Sequence, residues 1–290
     1  MNDQAQSLRD LVNVRQDGSD RSTKIITVTS GKGGVGKSNF TLNFALSLQS
    51  LGYRVLVFDA DIGLANIDVL MGASPKYNLY HLLKRQKTIW EIIHTGVNDL
   101  QFIAGGSGFN DLLRLTEEEL AYFADQINEL NGYADFIIFD TGAGLSKETL
   151  KFIVAAHETI VVTTPEPTSI TDAYAIIKMV HGMDYQVPFN LIINRITDPY
   201  EGKRTAEKIS LVAKRFLQLD IPLLGCIEDD QYVSRAVKRQ VPFTVAYPNS
   251  AAARSISQIA TSFVTGYDQS NAEEQTGVKR FLSRMMKLIR

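Results

Sequence analysis

The chain has 290 residues, of which 44% are hydrophobic and 21% are charged, and its formal net charge is −2. This length and balance predict a globular protein with a sizeable core, built as one large α/β domain or two small ones. The small net charge gives no global reason to expect nucleic acid binding. The single cysteine, Cys226, excludes an intrachain disulfide and a cysteine-rich metal or iron–sulfur centre.

The N-terminal end is polar and contains no apolar run of the kind found in a signal peptide. Nor does the sequence contain a stretch apolar and long enough to span a bilayer, so we expect a cytoplasmic protein. Residues 2–12 place Ala5, Leu8, Leu11 and Val12 on one helical stripe, which predicts a short amphipathic helix before a polar linker. A helix this short is marginal alone in water, so we expect it to dock on the chain's own body or on a partner.

A glycine-rich turn lies between an apolar, β-branched run at residues 25–29 and a segment with helical spacing at residues 39–48. The turn matches the pattern G-x-x-x-x-G-K-S, whose backbone N–H groups bind phosphate oxygens together with the N-terminus of the helix. Lys37 would reach the β- and γ-phosphates, and Ser38 would bind Mg²⁺. The alternative is a glycine-rich turn without a ligand. The residues predicted to bind nucleotide here are Gly31, Lys32, Gly33, Gly34, Val35, Gly36, Lys37, Ser38 and Asn39.

Two further strand-like runs end in carboxylates. Residues 54–58 lead to Asp59 and Asp61, and residues 135–139 lead to Asp140. Because ligands bind at the carboxyl ends of parallel strands, we expect these acids beside the phosphate loop. An apolar run ending in aspartate is the Walker B pattern, which holds the shell of Mg²⁺. The predicted metal-site residues are therefore Ser38, Asp59, Asp61 and Asp140, although Asp59 and Asp61 could instead cap the next helix.

The remaining periodic segments alternate between strands and helices, which favours a doubly wound α/β arrangement. We predict a three-layer α/β/α P-loop NTPase with a mainly parallel central sheet. Further strands are predicted at residues 100–103, 159–164, 189–193 and 223–227, and helices at residues 77–90, 117–130, 169–180 and 251–264.

The C-terminal residues 277–290 form a basic amphipathic pattern behind a polar linker. A pattern of this kind predicts an anchor at a membrane surface, and the alternative is a helix that packs on its own domain. A single copy would bind weakly, whereas a dimer with two copies gains by effective concentration. The predicted organisation is residues 1–23 as an N-terminal helix and linker, 24–266 as the ATPase domain, and 267–290 as linker and membrane-targeting helix. The membrane-facing residues are Val278, Phe281, Leu282, Met285 and Ile289.

The early lysine of the loop, Lys32, resembles the signature lysine of the deviant Walker A loop in the MinD/ParA family of ATPases. That resemblance implies a nucleotide-sandwich homodimer in which Lys32 reaches the phosphates of the partner's ATP. Residues 59–68 resemble switch I of MinD-like ATPases, which implies that Asp61 positions the attacking water. By the same resemblance the catalytic residues are Lys32, Lys37 and Asp61, and the cofactors are ATP or ADP with Mg²⁺.

Two later segments resemble the base-binding part of this family. Asn194 would bond the adenine edge and Arg195 would lie near the base. No aspartate follows at the spacing that recognises guanine, which favours ATP. Glu228 and Asp229 stand where relatives carry Pro-Glu-Asp, with Glu228 in place of the proline, so the shape of the adenine pocket stays open.

Residues 3–9, D-Q-A-Q-S-L-R, resemble the D-Q-A-x-x-L-R peptide of the FlhG family, also called YlxH or FleN. This family sets flagellar number and placement. The resemblance implies that Gln4, Leu8 and Arg9 stimulate an FlhF-type GTPase, that FliM- and FliN-type proteins of the flagellar C-ring are partners, and that the ATP-bound dimer lies on the inner face of the cell membrane. Three alternatives stay open: a ParA-type DNA-partitioning ATPase, a division-site MinD-type ATPase and a non-hydrolysing nucleotide-gated scaffold.

Overall fold

A computed structural model of the chain describes residues 23–61, 66–106, 117–183, 185–268 and 277–289. The predicted N-terminal helix, with Gln4, Leu8 and Arg9, lies outside the described residues, as does most of the predicted linker before the C-terminal helix.

In the part of the chain that the structure describes, eight strands form one sheet with the order β3-β4-β2-β5-β1-β6-β7-β8. All neighbouring strands are parallel except β3 and β4, which are antiparallel. The strands are β1 Lys24–Ser30, β2 Val55–Ala60, β3 Ile93–Thr95, β4 Gln101–Ile103, β5 Phe136–Ala143, β6 Glu158–Thr163, β7 Phe189–Ile196 and β8 Leu223–Glu228. Every predicted strand is present, and only the short edge strand β3 was not predicted.

Helices cover both faces of the sheet, so the predicted three-layer α/β/α fold is confirmed. The helices of the described chain are α1 Lys37–Ser50, α2 Ile67–Met71, α3 Leu79–Leu83, α4 Glu117–Asn128, α5 Lys147–Ala155, α6 Pro167–His181, α7 Pro199–Leu217, α8 Gln231–Lys238, α9 Phe243–Ala246, α10 Ala251–Asp268 and α11 Gly277–Ile289. On one face α1 and α10 pack against inward side chains of the sheet, and on the other face lie α3 to α7 and α11.

The helix predicted over residues 77–90 is much shorter than expected. Only α3 is helical in this stretch, and a single 3₁₀ turn, Trp90–Ile92, follows it. Arg85 has a φ of 56°, in the left-handed region that a continuing right-handed helix does not use. The apolar residues that suggested one long helix are still buried, but they lie on either side of the left-handed residue, with Leu82 before it and Ile89 after it.

The C-terminal helix α11 lies on the body of the domain, which is the alternative to a free anchor that the sequence left open. Phe281 stacks on Phe139 with ring centroids 5.0 Å apart and lies 6.4 Å from the ring of Phe152. Four of the five predicted membrane-facing residues are buried in the same hydrophobic core as Phe139 and Phe152, namely Val278, Phe281, Leu282 and Met285. The side chain of the fifth, Ile289, lies outside the described part of the structure.

The first residue of α11 packs tightly against the start of β1. A Cβ atom added at Gly277 would lie 1.6 Å from the backbone oxygen of Thr23, so only glycine fits there. Among the described helices, none has both the length and the apolar character needed to cross a bilayer.

Candidate active site

The loop between β1 and α1 fits closely between two other elements. A Cβ atom added at Gly31 would lie 2.2 Å from the carbonyl carbon of Asp172 on α6. At Gly36, where φ is 95°, an added Cβ atom would lie 2.3 Å from the amide nitrogen of Asn194 at the end of β7. No side chain caps the N-terminus of α1 at Gly36, so its first N–H groups remain available to an anion.

Lys37 and Asp140 form a buried ion pair at the base of the loop. The Lys37 Nζ atom lies 3.0 Å from Asp140 Oδ1, and the two side chains are 7% and 0% exposed. Thr41, one helical turn after Lys37, donates its hydroxyl to the same oxygen at 2.8 Å. The other oxygen, Asp140 Oδ2, is buried without a hydrogen-bond partner among the described residues. A buried, unpaired carboxylate oxygen is suited to a metal ion or its water shell, so this site fits the predicted Mg²⁺.

Asp59 lies directly opposite Asp140 on the neighbouring strand β2. Burial, together with the charge of Asp140, raises the pKa of the Asp59 carboxyl from 3.8 to about 7. The same carboxylate accepts backbone N–H groups of Asn66 at 2.9 Å and of Ile67 at 3.1 Å, at the start of α2. Asp59 therefore caps the next helix, as the alternative interpretation predicted, and also lies beside the predicted metal site.

The Asp61 side chain lies near the end of β5. A Cβ atom added at Gly142 would lie 3.5 Å from Asp61 Oδ1. In the same stretch, the backbone N–H of Gly144 donates to Ser30 O at 2.8 Å. The predicted water-positioning carboxylate of Asp61 and the segment around Gly142 and Gly144 thus lie together at the carboxyl ends of β1, β2 and β5.

The signature lysine Lys32 lies on the outer rim of the loop, where it contacts its own chain. Its Nζ atom is 2.8 Å from Glu166 Oε2 and 3.2 Å from Thr168 Oγ1. The Lys32 side chain is 42% exposed. The hydrogen bond from Lys32 lowers the pKa of the Glu166 carboxyl. Within one chain, therefore, Lys32 is close to the surface and Lys37 is buried, although only four residues separate them.

The predicted base-binding residues gather around a small cavity of about 50 Å³. Asn194 donates its amide to the backbone oxygen of Val35 at 2.7 Å, which ties the end of β7 to the loop. Asn39, Asn194, Arg195, Glu228 and Asp229 all line this cavity.

Several residues of the site were not found from the sequence. Thr41 shares the carboxylate of Asp140, and its position one turn after Lys37 on α1 could have indicated this. Glu166 and Thr168 hold Lys32, and only the three-dimensional fold brings them to the loop. Asp230 lines the base cavity and caps α8, for which an aspartate before a helical segment is the usual signal.

Comparison with known proteins places this site in a family. A family model described as an AAA domain matches residues 23–193. The flagellum site-determining protein YlxH of Helicobacter pylori is 39% identical over all of both chains. The antiactivator FleN of Pseudomonas aeruginosa is 34% identical, over 85% of this chain and 88% of FleN. The chain belongs to the MinD/ParA-type ATPases, in the group of YlxH and FleN.

Solved structures of this family share the fold. The septum site-determining protein MinD of Pyrococcus horikoshii, in complex with Mg-ADP, superposes with a TM-score of 0.70 at 23% identity, covering 87% of this chain and 100% of that one. MinD of the Aquifex aeolicus MinC:MinD complex gives a TM-score of 0.68 at 24% identity, covering 83% of this chain and 96% of that one. The members of this family are P-loop ATPases, and residues 31–38 are the predicted nucleotide-binding loop of this chain.

Proposed function

We propose that this chain is an ATP-dependent switch that governs the number or placement of flagella. In this proposal it binds ATP and Mg²⁺, dimerises through its nucleotide faces, hydrolyses ATP slowly and associates peripherally with the inner face of the cell membrane. The observation that carries the proposal is the arrangement of the two loop lysines, with Lys37 buried on Asp140 and Lys32 exposed at the rim. The match to YlxH over the whole chain supports the flagellar role.

The chain's own residues divide the proposed chemistry between them. Lys37 and the first N–H groups of α1 bind the phosphates, and Asp61 orients the attacking water. Ser38, Asp59, Asp61 and Asp140 would hold Mg²⁺, which would neutralise charge on the phosphate oxygens. Burial raises the pKa of the Asp59 carboxyl, and a bound Mg²⁺ would favour its ionised form.

Lys32 supplies the second chain's contribution in the proposed dimer. Its ion pair with Glu166 is exposed, and pairs of this kind are worth at most about 1 kcal/mol. The side chain can therefore leave Glu166 at small cost and stabilise charge that develops on the partner's phosphoryl oxygens, the role that other classes give to an arginine finger.

The dimer mechanism is tested by the specific ATPase activity as a function of protein concentration. We expect activity per chain to rise with concentration, and Lys32→Ala to remove that rise. Lys203→Ala, on the exposed surface of α7, is the matched control and should behave as the unaltered chain. An activity per chain that does not depend on concentration and is unchanged by Lys32→Ala would contradict the mechanism.

Membrane association requires α11 to leave its site on the domain, because the side chains that would enter the lipid are buried there. Lys279 and Lys287 are exposed and would face anionic headgroups, each worth about 1 kcal/mol near the surface. We expect Lys279→Glu with Lys287→Glu to reduce flotation with anionic vesicles in the presence of ATP. The matched control, Lys203→Glu with Lys208→Glu on α7, makes the same change of charge and should float normally; equal loss in both would reject α11 as the anchor.

Partner binding is proposed at two places. The N-terminal peptide would stimulate an FlhF-type GTPase through Gln4, and a peptide of residues 1–20 that fails to raise that GTPase rate would defeat this part.

For C-ring proteins of the FliM and FliN type, the proposed contacts are exposed apolar side chains of α6 and α7. Met179, Leu211 and Phe216 are 46%, 70% and 67% exposed. Phe216→Ser should weaken capture of such a protein, whereas Leu145→Ser, also exposed but on the loop before α5, should not.

The flagellar role itself is tested in cells. Deletion of the chain should change flagellar number or position and leave septum placement normal. Because the septum site-determining protein MinD of Bacillus subtilis is 32% identical over 78% of this chain, misplaced septa with normal flagella would favour a division-site role instead.

A further inference from the structure

Asn43 on α1 is a buried amide side chain next to the base cavity, and the chemistry proposed above does not use it. Its side chain is 0% exposed. Burying an amide costs free energy unless its polar atoms are hydrogen-bonded. The partners of such a group therefore show which parts of the fold it holds together.

The amide oxygen of Asn43 reaches the short helix α9. It accepts the backbone N–H of Thr244 at 2.9 Å and the hydroxyl of the same residue at 2.8 Å. The residue before α9 is Pro242, whose side chain has no acceptor for an N–H group of the first turn. Asn43 supplies that acceptor from a position 201 residues earlier in the chain, so it fixes the start of α9 on α1.

The amide nitrogen of Asn43 points to the other side, along α1. It donates to the backbone oxygen of Asn39 at 2.8 Å. Asn39 lines the base cavity, and so does Phe243, the residue directly before Thr244. One buried side chain thus joins two walls of the same cavity, the first on the helix that follows the phosphate loop and the second on α9.

We propose that Asn43 and Thr244 are positioning residues that set the base end of the nucleotide site. The proposal rests on the proposed ATPase function, because it takes the base cavity as the place where the base binds. Neither residue touches the nucleotide. Together they hold Phe243 in place relative to Asn39, so that a base can bind without first ordering α9, which would cost affinity.

The two ends of the site should respond differently when this link is weakened. Pyrophosphate carries the two phosphate groups of ADP without ribose or base, so it binds at the loop alone. Thr244→Val removes the hydroxyl and keeps the shape of the side chain. We expect this variant to bind ADP about threefold to tenfold more weakly, the range of one neutral hydrogen bond, and to bind pyrophosphate as the unaltered chain does.

Equilibrium dialysis of the full chain with radioactive ADP and Mg²⁺ measures the dissociation constant of ADP, and displacement by pyrophosphate gives the second constant. Thr244→Ser, which keeps the hydroxyl, should bind both as the unaltered chain does. Asn43→Ala removes the acceptor from both donors of Thr244 and should weaken ADP binding at least as much as Thr244→Val. Thermal unfolding of each variant shows whether it is folded.

Thr27→Val is the matched control, because the Thr27 hydroxyl is also buried and donates to the backbone oxygen of Phe152 at 3.0 Å, between β1 and α5. It should leave the ratio of the two dissociation constants unchanged. An unchanged ratio in Thr244→Val, or the same change in Thr27→Val, would overturn the proposal. If the unaltered chain fails to bind ADP, the nucleotide site itself is rejected, and this inference with it.

Discussion

The buried pair of Lys37 and Asp140 dominates the electrostatics of the site. Both side chains are buried, whereas Lys32, in the same loop, is paired at the surface. Removing one partner of a buried pair leaves an uncompensated charge, which is far more costly than breaking an exposed pair. Two lysines of one loop should therefore differ sharply in their contribution to stability.

Lys37→Ala should lower the free energy of unfolding by about 3–5 kcal/mol. Lys32→Ala, the matched control, should cost less than about 1 kcal/mol. Urea unfolding without nucleotide measures both values. Similar losses for the two variants would contradict the buried pair described here.

The pKa of Asp59 predicts a dependence of stability on pH. Since the folded-state pKa of about 7 lies above the ordinary value of 3.8, the folded chain keeps a proton that the unfolded chain loses. The stability that this proton contributes is complete below pH 3.8 and is lost as the pH rises to about 7.

Asp59→Asn removes this titration while retaining an oxygen that can accept the N–H groups of Asn66 and Ile67. In the absence of nucleotide and metal, the free energy of unfolding is compared between the variant and the unaltered chain. The value for the variant minus that for the unaltered chain should be larger at about pH 8 than at about pH 5. Denaturant unfolding at the two pH values measures the difference. Asp220→Asn, at an exposed position, is the control and should show no such change between the two pH values. If the difference in stability between Asp59→Asn and the unaltered chain is the same at both pH values, the raised pKa of Asp59 is contradicted.

Among the elements, α11 has the least expected place. Its basic, amphipathic pattern predicted a membrane helix, yet its apolar face completes the core over β5 and α5. Large apolar residues at helical spacing are equally suited to lipid and to a protein core, so the pattern alone could not distinguish the two. The contacts with Phe139 and Phe152 settle its place in the structure described here.

Phe281→Ala should therefore lower the free energy of unfolding by about 3–5 kcal/mol, as truncation of a buried phenylalanine does. Lys279→Ala, on the exposed side of the same helix, should have little effect. Chemical unfolding without lipid measures both. A cost below about 1 kcal/mol for Phe281→Ala would mean that α11 is not docked in solution.

The accuracy of the sequence-based prediction varied from element to element for physical reasons. The strands carrying Val28, Phe58 and Phe139 were predictable because strands buried on both faces are continuously apolar. The helix at residues 77–90 was overpredicted because the left-handed turn at Arg85 leaves no signature in apolar spacing. The loop lysines and the aspartates were identified from spacing, whereas Thr41 and Glu166 act through contacts over 99 and 134 residues that no local pattern encodes.

At the scale of the whole molecule, the site unites the carboxyl ends of the central strands, so a ligand there stabilises the entire fold. A ligand at 100 times its dissociation constant raises the free energy of unfolding by about 2.7 kcal/mol.

We expect ADP with Mg²⁺ to stabilise the chain by about this amount, and chelation of Mg²⁺ to reduce the effect. Lys37→Ala should show little stabilisation at the same ADP concentration. Unfolding with and without ADP measures the change. Equal stabilisation of Lys37→Ala and the unaltered chain would place ADP outside the loop.

The contact between Gly277 and Thr23 has a consequence for how the two ends of the chain communicate. The described part of the chain begins at Thr23 and α11 begins at Gly277, and these two residues lie in close contact. Thr23 is fixed there by hydrogen bonds with Ala134 and Gly132. A change at this junction would therefore act on the first residue of the domain and on the first residue of α11 at the same time.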